Sequence, residues 1–197
     1  MHQVTTSPEP IRAVSVAEAA DIIPHAERIM VIGCSGGGKS TLAQKLASHF
    51  SLTYLSIDRD ILWLPGWVQR SKEEQRQRII DRIADERWIM DGTNTSTFDI
   101  RLPRTDIVIW VRMPRLLCVW GVLTRWLKHL GRTRPEMALG CVEKVDWQFL
   151  EFIWTFEKKF TPRITAAIAA HGPQVPVLQV KCRRQMRALL DLLGVPA

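Results

Sequence analysis

Short apolar segments alternate with amphipathic segments along most of the chain. The apolar segments have the length of buried parallel strands, and they cover Arg28–Gly33, 52–57, Trp88–Asp91, 106–112 and 175–180. Between them, apolar side chains recur at helical spacing in the segments 40–50, 71–84, 115–130, 147–160, 163–170 and 183–193. Strands that alternate with helices in this way predict an α/β fold built on a parallel sheet.

The first 27 residues differ from the rest of the chain, because they contain three prolines around a weak apolar pattern. This composition predicts an N-terminal extension that is flexible at its start and contains one short helix near Val16–Ile22. The remaining residues, 28–197, are then expected to form one domain, and that length is enough for a complete hydrophobic core.

A glycine-rich segment joins the first predicted strand to the first predicted helix. It has the pattern Gly33-x4-Gly38-Lys39-Ser40, which is that of a P-loop. Glycines let successive N–H groups converge on phosphate oxygens, and the helix that follows turns its positive dipole end to the same anion. Lys39 is expected to bridge the β- and γ-phosphates of ATP, and the Ser40 hydroxyl to bind Mg²⁺. The residues predicted to bind the nucleotide here are Gly33, Cys34, Ser35, Gly36, Gly37, Gly38, Lys39, Ser40 and Thr41.

Acidic residues follow two of the predicted strands. Ligand sites of open parallel sheets lie beyond the carboxyl ends of the strands, so these residues are candidates for the same site. Asp91, before Gly92, is expected to hold Mg²⁺ or to orient the acceptor, although an aspartate before a glycine is also common in turns. Asp58 and Asp60 follow the second strand, where a carboxylate can accept a proton from a substrate hydroxyl or serve as a turn residue or helix cap.

A basic segment without acidic residues runs from 112 to 135. Phosphoryl transfer needs cations over the transferred group, and a mobile segment of this kind can supply them as it closes. A surface for nucleic acid backbone and a solvated helix face are the two alternatives. Among the tryptophans, core packing is the interpretation for Trp120, Trp126, Trp147 and Trp154, which lie on apolar helix faces.

Two further tryptophans, Trp63 and Trp67, bracket a Leu-Pro-Gly turn close to Asp58. They either stack on a planar or sugar-like acceptor or pack within their own loop. Asn94, shortly after the Asp91-Gly92 pair, is another candidate for binding the acceptor.

The net charge of +7 favours an anionic ligand, and both nucleotides and nucleic acid meet that condition. No apolar run approaches the roughly 18 residues of a membrane span, and no signal-peptide pattern stands at the start, so a cytoplasmic protein without a membrane partner is expected. The four cysteines lack zinc-site spacing and are expected to be reduced. Cys34, inside the loop, either fills space or is sensitive to oxidation.

With these motifs assembled, the chain resembles the nucleoside-monophosphate-kinase branch of P-loop proteins, and within it the bacterial "DNA topology modulation" proteins that resemble adenylate kinases. The segments that carry the resemblance are GCSGGGKST, Ile57-Asp58 followed by LPGW, MDGTN, RLPRTDIVIW, GRTRPEM and VKCRRQMRALL. The chain departs from the family pattern in two respects. Thr93-Asn94-Thr95 stands where adenylate kinases have Phe-Pro-Arg, and the lid lacks the pattern of an AMP-phosphorylating enzyme.

This resemblance implies a three-layer P-loop fold for residues 28–197, with a five-stranded parallel sheet in the order 2-3-1-4-5 and a helical lid at about 115–160. It implies ATP and Mg²⁺, with adenine near 182–184 and therefore beside Arg183. It also implies that Arg101 binds an acceptor phosphate and that Arg132 and Arg134 are catalytic arginines of the lid.

Two functions are consistent with these residues. The first is an ATP-dependent phosphotransferase acting on a small hydroxyl- or phosphate-bearing acceptor, with Lys39, Asp58 and Asp91 as catalytic residues. The second is a nucleotide-gated protein that binds nucleic acid without kinase activity. A guanine-specific GTPase is not favoured, because the chain has no NKxD-like element. The sequence indicates neither the acceptor nor the oligomeric state.

Overall fold

The computed structural model describes residues 11–128, 137, 138, 140, 141 and 145–196. The predicted lid arginines, Arg132 and Arg134, lie outside the described residues.

The centre of the molecule is a parallel sheet whose inner strands are buried on both faces. In chain order the strands of the structure are β1 (Ala13–Val14), β2 (Arg28–Gly33), β3 (Thr53–Ser56), β4 (Trp63–Leu64), β5 (Val68–Gln69), β6 (Trp88–Asp91), β7 (Ile107–Val111) and β8 (Val177–Val180). Six of them form the large sheet in the order β1-β8-β7-β2-β6-β3, whereas β4 and β5 pair separately as an antiparallel hairpin. The parallel sheet confirms the predicted α/β class.

The predicted number of five strands was wrong, because the described sheet has six. The five predicted strands keep the order 2-3-1-4-5, as β3-β6-β2-β7-β8, and the sixth strand is added beside β8. The additional strand is β1, which comes from the predicted N-terminal extension and pairs with β8 through Ala13 and Val177. A strand of two residues is too short to show a periodic pattern, so the sequence gives no sign of it.

Helices flank the sheet. They are α1 (Val16–Ile22), α2 (Lys39–Phe50), α3 (Lys72–Ile83), α4 (Phe98–Arg101), α5 (Arg115–Lys128), α6 (Trp147–His171) and α7 (Arg183–Leu192). Helix α2 contacts β2 and β6, α1 contacts α7, and α6 contacts both α4 and α5. Among the described residues, no helix is both long enough and apolar enough to span a bilayer.

Helix α6 differs from the prediction of two helices, at 147–160 and 163–170, because it continues through Pro162. A proline inside a helix removes one hydrogen bond and normally ends or kinks it. Here the buried stripe continues on both sides of the proline, from Ile153 and Phe156 to Ile164 and Ile168. Packing of this stripe offsets the lost hydrogen bond.

Candidate active site

The phosphate loop follows the carboxyl end of β2 and leads directly into α2. Gly33, Gly36 and Gly38 have φ angles of +136°, +78° and +92°, which side chains with a Cβ rarely adopt. A Cβ on Gly33 would also lie 2.0 Å from the carbonyl oxygen of Val111 on β7. The backbone of this loop therefore adopts conformations that favour glycine, as the sequence predicts.

Helix α5 packs directly on this loop. A Cβ on Gly36 would lie 2.0 Å from the carbonyl oxygen of Cys118, and one on Gly121 would lie 2.3 Å from that of Gly36. Only small residues permit such an approach between two backbones. The first turns of the predicted lid are thus in contact with the phosphate loop.

Two cations belong to this loop region. The ammonium group of Lys39 donates a hydrogen bond of 2.9 Å to the carbonyl oxygen of Cys34, within the loop itself. The exposed Arg183, at the start of α7, has a guanidinium nitrogen 3.5 Å from the place where a Cβ on Gly38 would lie. The structure therefore brings Arg183 next to the loop, and its contact with the nucleotide, which the resemblance implies, stays a prediction.

Asp91 ends β6 beside the start of α2. The Ser40 hydroxyl donates a hydrogen bond of 2.5 Å to Oδ2 of Asp91, and the Tyr54 hydroxyl lies 3.3 Å from the same oxygen. Its other oxygen, Oδ1, is buried and has no hydrogen-bond partner among the described residues. Burial raises the pKa of Asp91, while the charge of Lys39 and the Ser40 hydrogen bond lower it and the nearby Asp58 raises it further.

The residues around Asp91 fit a magnesium ion. Mg²⁺ prefers oxygen ligands, and a buried carboxylate oxygen without a partner is a site that a cation would stabilise. Within the described part of the chain, no cluster of three His, Cys, Asp or Glu residues that could hold a metal occurs. A cation held by Ser40 and Asp91 would therefore take its remaining ligands from phosphate oxygens and water.

The two acids after β3 have different surroundings on the π-helical turn Ile57–Leu62. Asp60 accepts a hydrogen bond of 2.9 Å from the Ser56 N–H and pairs with Arg59 at 2.8 Å, so it stabilises the turn. Asp58 is exposed, and no described residue donates a hydrogen bond to its carboxylate. Of the two, only Asp58 is available to an incoming substrate.

Thr93, in the loop after β6, was not singled out by the sequence. Its hydroxyl accepts a hydrogen bond from the Gly33 N–H and donates one to the Gly33 carbonyl, both at 2.9 Å. It therefore ties the phosphate loop to the segment after Asp91. No sequence signal could identify it, because the two residues are 60 positions apart.

Arg101, for which the resemblance implies an acceptor phosphate, lies against the loop after β6. Its side chain is fully buried, and it donates hydrogen bonds to the carbonyl oxygens of Gly92, Thr93 and Asn94 and to the Thr97 hydroxyl. Burial lowers the pKa of Arg101 to about 9. Arg101 thus stabilises the loop after β6 through these hydrogen bonds, and a contact with substrate would require them to break.

Asn94 belongs to the same loop and is half-buried. Its side-chain amide donates a hydrogen bond of 3.2 Å to the buried Gln75 on α3, and its Oδ1 accepts one of 2.7 Å from Ser96. The amide therefore links the loop to α3 rather than pointing freely to a substrate.

The tryptophans Trp63 and Trp67 form an edge-to-face pair with ring centroids 5.3 Å apart. Both pack against the small cluster of Met137, Ala138 and Cys141. Of the two predictions for these tryptophans, packing within their own loop agrees with the structure. Both rings keep part of their surface accessible.

Core packing, predicted for the helical tryptophans, was wrong for three of them. Trp120, Trp147 and Trp154 are 66%, 78% and 47% exposed. Helix α5 buries its small face, with Cys118 and Val122, and leaves its bulky apolar side chains on the surface. Helical spacing shows which side chains share a face but not which face is covered.

Comparison with known proteins adds the fold class. No protein-family model and no curated protein sequence matches the chain. Among solved structures, shikimate kinase from Acinetobacter baumannii in complex with shikimate is 14% identical, with a TM-score of 0.50 over 89% of this chain and 95% of that one. Shikimate kinase from Bacteroides thetaiotaomicron is 18% identical, with a TM-score of 0.50 over 86% and 99%.

The chain has the fold of the P-loop kinases. A gluconokinase from Sinorhizobium meliloti is a further structural neighbour, at 14% identity and a TM-score of 0.49 over 85% of this chain and 91% of that one. At such low identities the likeness shows the fold and no substrate.

Proposed function

We propose that the protein is an ATP-dependent phosphotransferase that transfers the γ-phosphoryl group to a small acceptor. One observation carries the proposal: Lys39 and Ser40 of the phosphate loop lie next to a buried Asp91, one oxygen of which has no partner in the described part of the chain. Glycine geometry, a helix N-terminus, a lysine and a cation-binding acid are the parts that phosphoryl transfer from a nucleotide requires. The kinase fold of the structural neighbours supports the same reaction class.

The residues of the loop bind and orient the nucleotide. Backbone N–H groups between Gly33 and Ser40 surround the phosphates, and Lys39 exchanges the Cys34 carbonyl for phosphate oxygens when ATP enters. Mg²⁺, when bound at Ser40 and Asp91, neutralises charge on the phosphate oxygens. Arg183, whose guanidinium group lies beside Gly38, is proposed to contact the adenosine end of the nucleotide.

The acceptor is proposed to bind on the side of Asp58. This carboxylate is exposed and free of hydrogen bonds from described residues, and it lies close enough to Asp91 to influence its pKa. It therefore accepts the proton of an attacking hydroxyl or holds that hydroxyl in line. Arg132 and Arg134 remain proposals for the cations that cover the transferred group.

A screen of ATP consumption tests this function. Purified protein with Mg²⁺ and ATP would be incubated with polyhydroxylated acids, sugars, nucleosides and nucleoside monophosphates, beginning with shikimate because one structural neighbour was solved with it. At least one acceptor should raise turnover well above ATP hydrolysis alone, and Asp58→Asn should lower that turnover by about 10²–10⁴-fold. If no acceptor raised turnover, the proposal would fail.

A second candidate function is nucleotide-gated binding of nucleic acid. The likeness to the "DNA topology modulation" proteins is proposed together with this function. Nucleic acid binding is favoured by the net charge of +7 and by a helix α5 that contains Arg115, Arg125 and Lys128 but no acid. A DNA affinity that falls steeply with salt and changes with ATP would support it. The absence of binding near physiological salt would rule it out. A cytoplasmic place of action is likewise proposed.

A further inference from the structure

A cavity of about 670 Å³ lies between α5 and α6, above the carboxyl ends of β7 and β8. That volume is within the range of sites that enclose small organic molecules. Its lining includes Cys34 of the phosphate loop but neither Lys39, Ser40, Asp91 and Asp58 nor the segment 182–184. It therefore adjoins the phosphate loop through Cys34 and excludes the other residues to which the nucleotide and the acceptor have been assigned above.

The floor of the cavity is apolar and buried. Cys34, Val111, Cys118 and Ile153 line it, and each of these is at most 7% exposed. Met113 and Phe156 extend the apolar wall on either side. A floor of this kind offers contact to a hydrocarbon or aromatic group and no hydrogen bonds from charged side chains.

The rim of the cavity is cationic. Of the described residues that line it, one is acidic, Glu157, and it pairs with Arg112, which leaves Arg115, Lys158 and Lys181. Among the described residues neither lysine forms an ion pair, and both are exposed. Arg115 stacks on the ring of Trp154, with its guanidinium carbon 4.0 Å from the ring centroid, and this contact joins α5 to α6.

We propose that this cavity binds a small organic anion with an apolar body, the body on the Cys34–Ile153 floor and the acidic group at Lys158 and Lys181. An apolar floor under a rim with excess positive charge recognises both ends of such a molecule, whereas an inorganic anion uses only the rim. Because Cys34 belongs to the phosphate loop, a molecule bound in the cavity also contacts that loop. The proposal does not depend on the phosphotransferase function.

Fluorescence titration with 8-anilinonaphthalene-1-sulfonate tests the site without measuring turnover. The full chain would be compared with the double variant Lys158→Glu/Lys181→Glu, in which both substitutions are at exposed positions. Reversal of two rim charges should weaken the binding of the probe about tenfold or more. The control is Lys72→Glu/Lys159→Glu, which makes the same charge change outside the cavity lining and should alter the affinity by less than about twofold.

If both variants bound the probe as tightly as the unchanged chain, the proposal would be overturned. The probe would then bind elsewhere, for example on the exposed apolar side chains of α5. An equal loss in both would also overturn it, since it would reflect net charge alone. Two competitors complete the test at constant ionic strength. Naphthalene-1-sulfonate should displace the probe, and inorganic sulfate should not. Displacement of the probe by sulfate would contradict the proposal, because the site would then recognise any anion. Adenosine is a further control. Full displacement by adenosine would also contradict the proposal, because the cavity would then be the nucleobase site.

Discussion

At the scale of single residues, the environment of Asp91 combines burial with a missing partner. Asp91 is 5% exposed, and from the residues that the structure describes it accepts hydrogen bonds on one oxygen only. Burial raises the pKa of Asp91 above its ordinary value of 3.8, so the folded chain binds more protons than the unfolded chain between these two pKa values. Stability therefore falls as the pH rises through that window, because the ionised carboxylate is poorly solvated without a cation.

Replacement of Asp91 by asparagine separates function from stability. Asp91→Asn removes the buried charge, so in the absence of Mg²⁺ the variant should be more stable to denaturant than the natural chain at pH 7, with the difference disappearing below the ordinary pKa of 3.8. The same variant should bind Mg²⁺·ATP about 10–100-fold more weakly by calorimetry. Asp85→Asn, at an exposed position, is the control and should change neither property. Unchanged Mg²⁺·ATP affinity in Asp91→Asn would contradict the proposed cation site.

Replacement of Arg101 tests whether this arginine stabilises the fold or binds substrate. Arg101→Met would leave the carbonyl oxygens of Gly92, Thr93 and Asn94 without their donor, and it should cost about 2–4 kcal/mol of unfolding free energy. Arg82→Met, at an exposed position on α3, should change it by less than about 0.5 kcal/mol. Denaturant unfolding measures both. If Arg101→Met kept full stability and lost only acceptor affinity, the original prediction of an acceptor-binding arginine would be correct.

At the scale of secondary-structure elements, the decisive contact is that of α5 with the phosphate loop. The two backbones meet at Gly36 and Gly121, with Cys118 alongside. The consequence is that the loop is supported from β7 on one side and from α5 on another. Movement of α5 therefore changes the support of the residues that surround the phosphates.

Gly121→Ala measures this contact. Alanine favours a helix over glycine by about 1 kcal/mol, but the added Cβ would lie 2.3 Å from the Gly36 backbone, which cannot yield as a flexible side chain can. Overpacking costs about 1–3 kcal/mol, so we expect a net loss of stability and a weaker affinity for ATP. Thr124→Ala, on the exposed side of the same helix, should be neutral or stabilising. A stabilised Gly121→Ala variant with normal ATP affinity would show that α5 does not pack on the loop.

At the scale of the whole molecule, the features that depend on neighbouring residues could be predicted from the sequence. Features that depend on residues far away in the chain could not. The glycines of the loop, the strand that ends at Asp91 and the capped start of α3 each depend on neighbouring residues, and the sequence predicts them. Thr93 and β1 depend on partners that are far away in the chain, Gly33 and Val177 respectively. The surface position of Trp120 depends on which helix face is covered, and hydrophobic periodicity contains no information about that.

A prediction at the same scale concerns ligand-induced stability. ATP and Mg²⁺ together at about 100 times the dissociation constant should stabilise the fold by about 2.7 kcal/mol, which for a chain of this size raises the melting temperature by about 5–10 °C. ATP with a chelator should give a much smaller rise, because Ser40 and Asp91 would lack their cation. Thermal unfolding followed by fluorescence measures this. Equal shifts with and without the metal would mean that the cation has no part in binding.

Transfer of label from ATP tests the central claim most directly. The protein would be incubated with Mg²⁺, [γ-³²P]ATP and each candidate acceptor, and the products would be separated by chromatography. The account predicts a labelled small molecule distinct from orthophosphate, formed by the natural chain and reduced at least about 10²-fold in Lys39→Met. Label that appears only in orthophosphate with every acceptor, or a product that Lys39→Met forms equally fast, would contradict it.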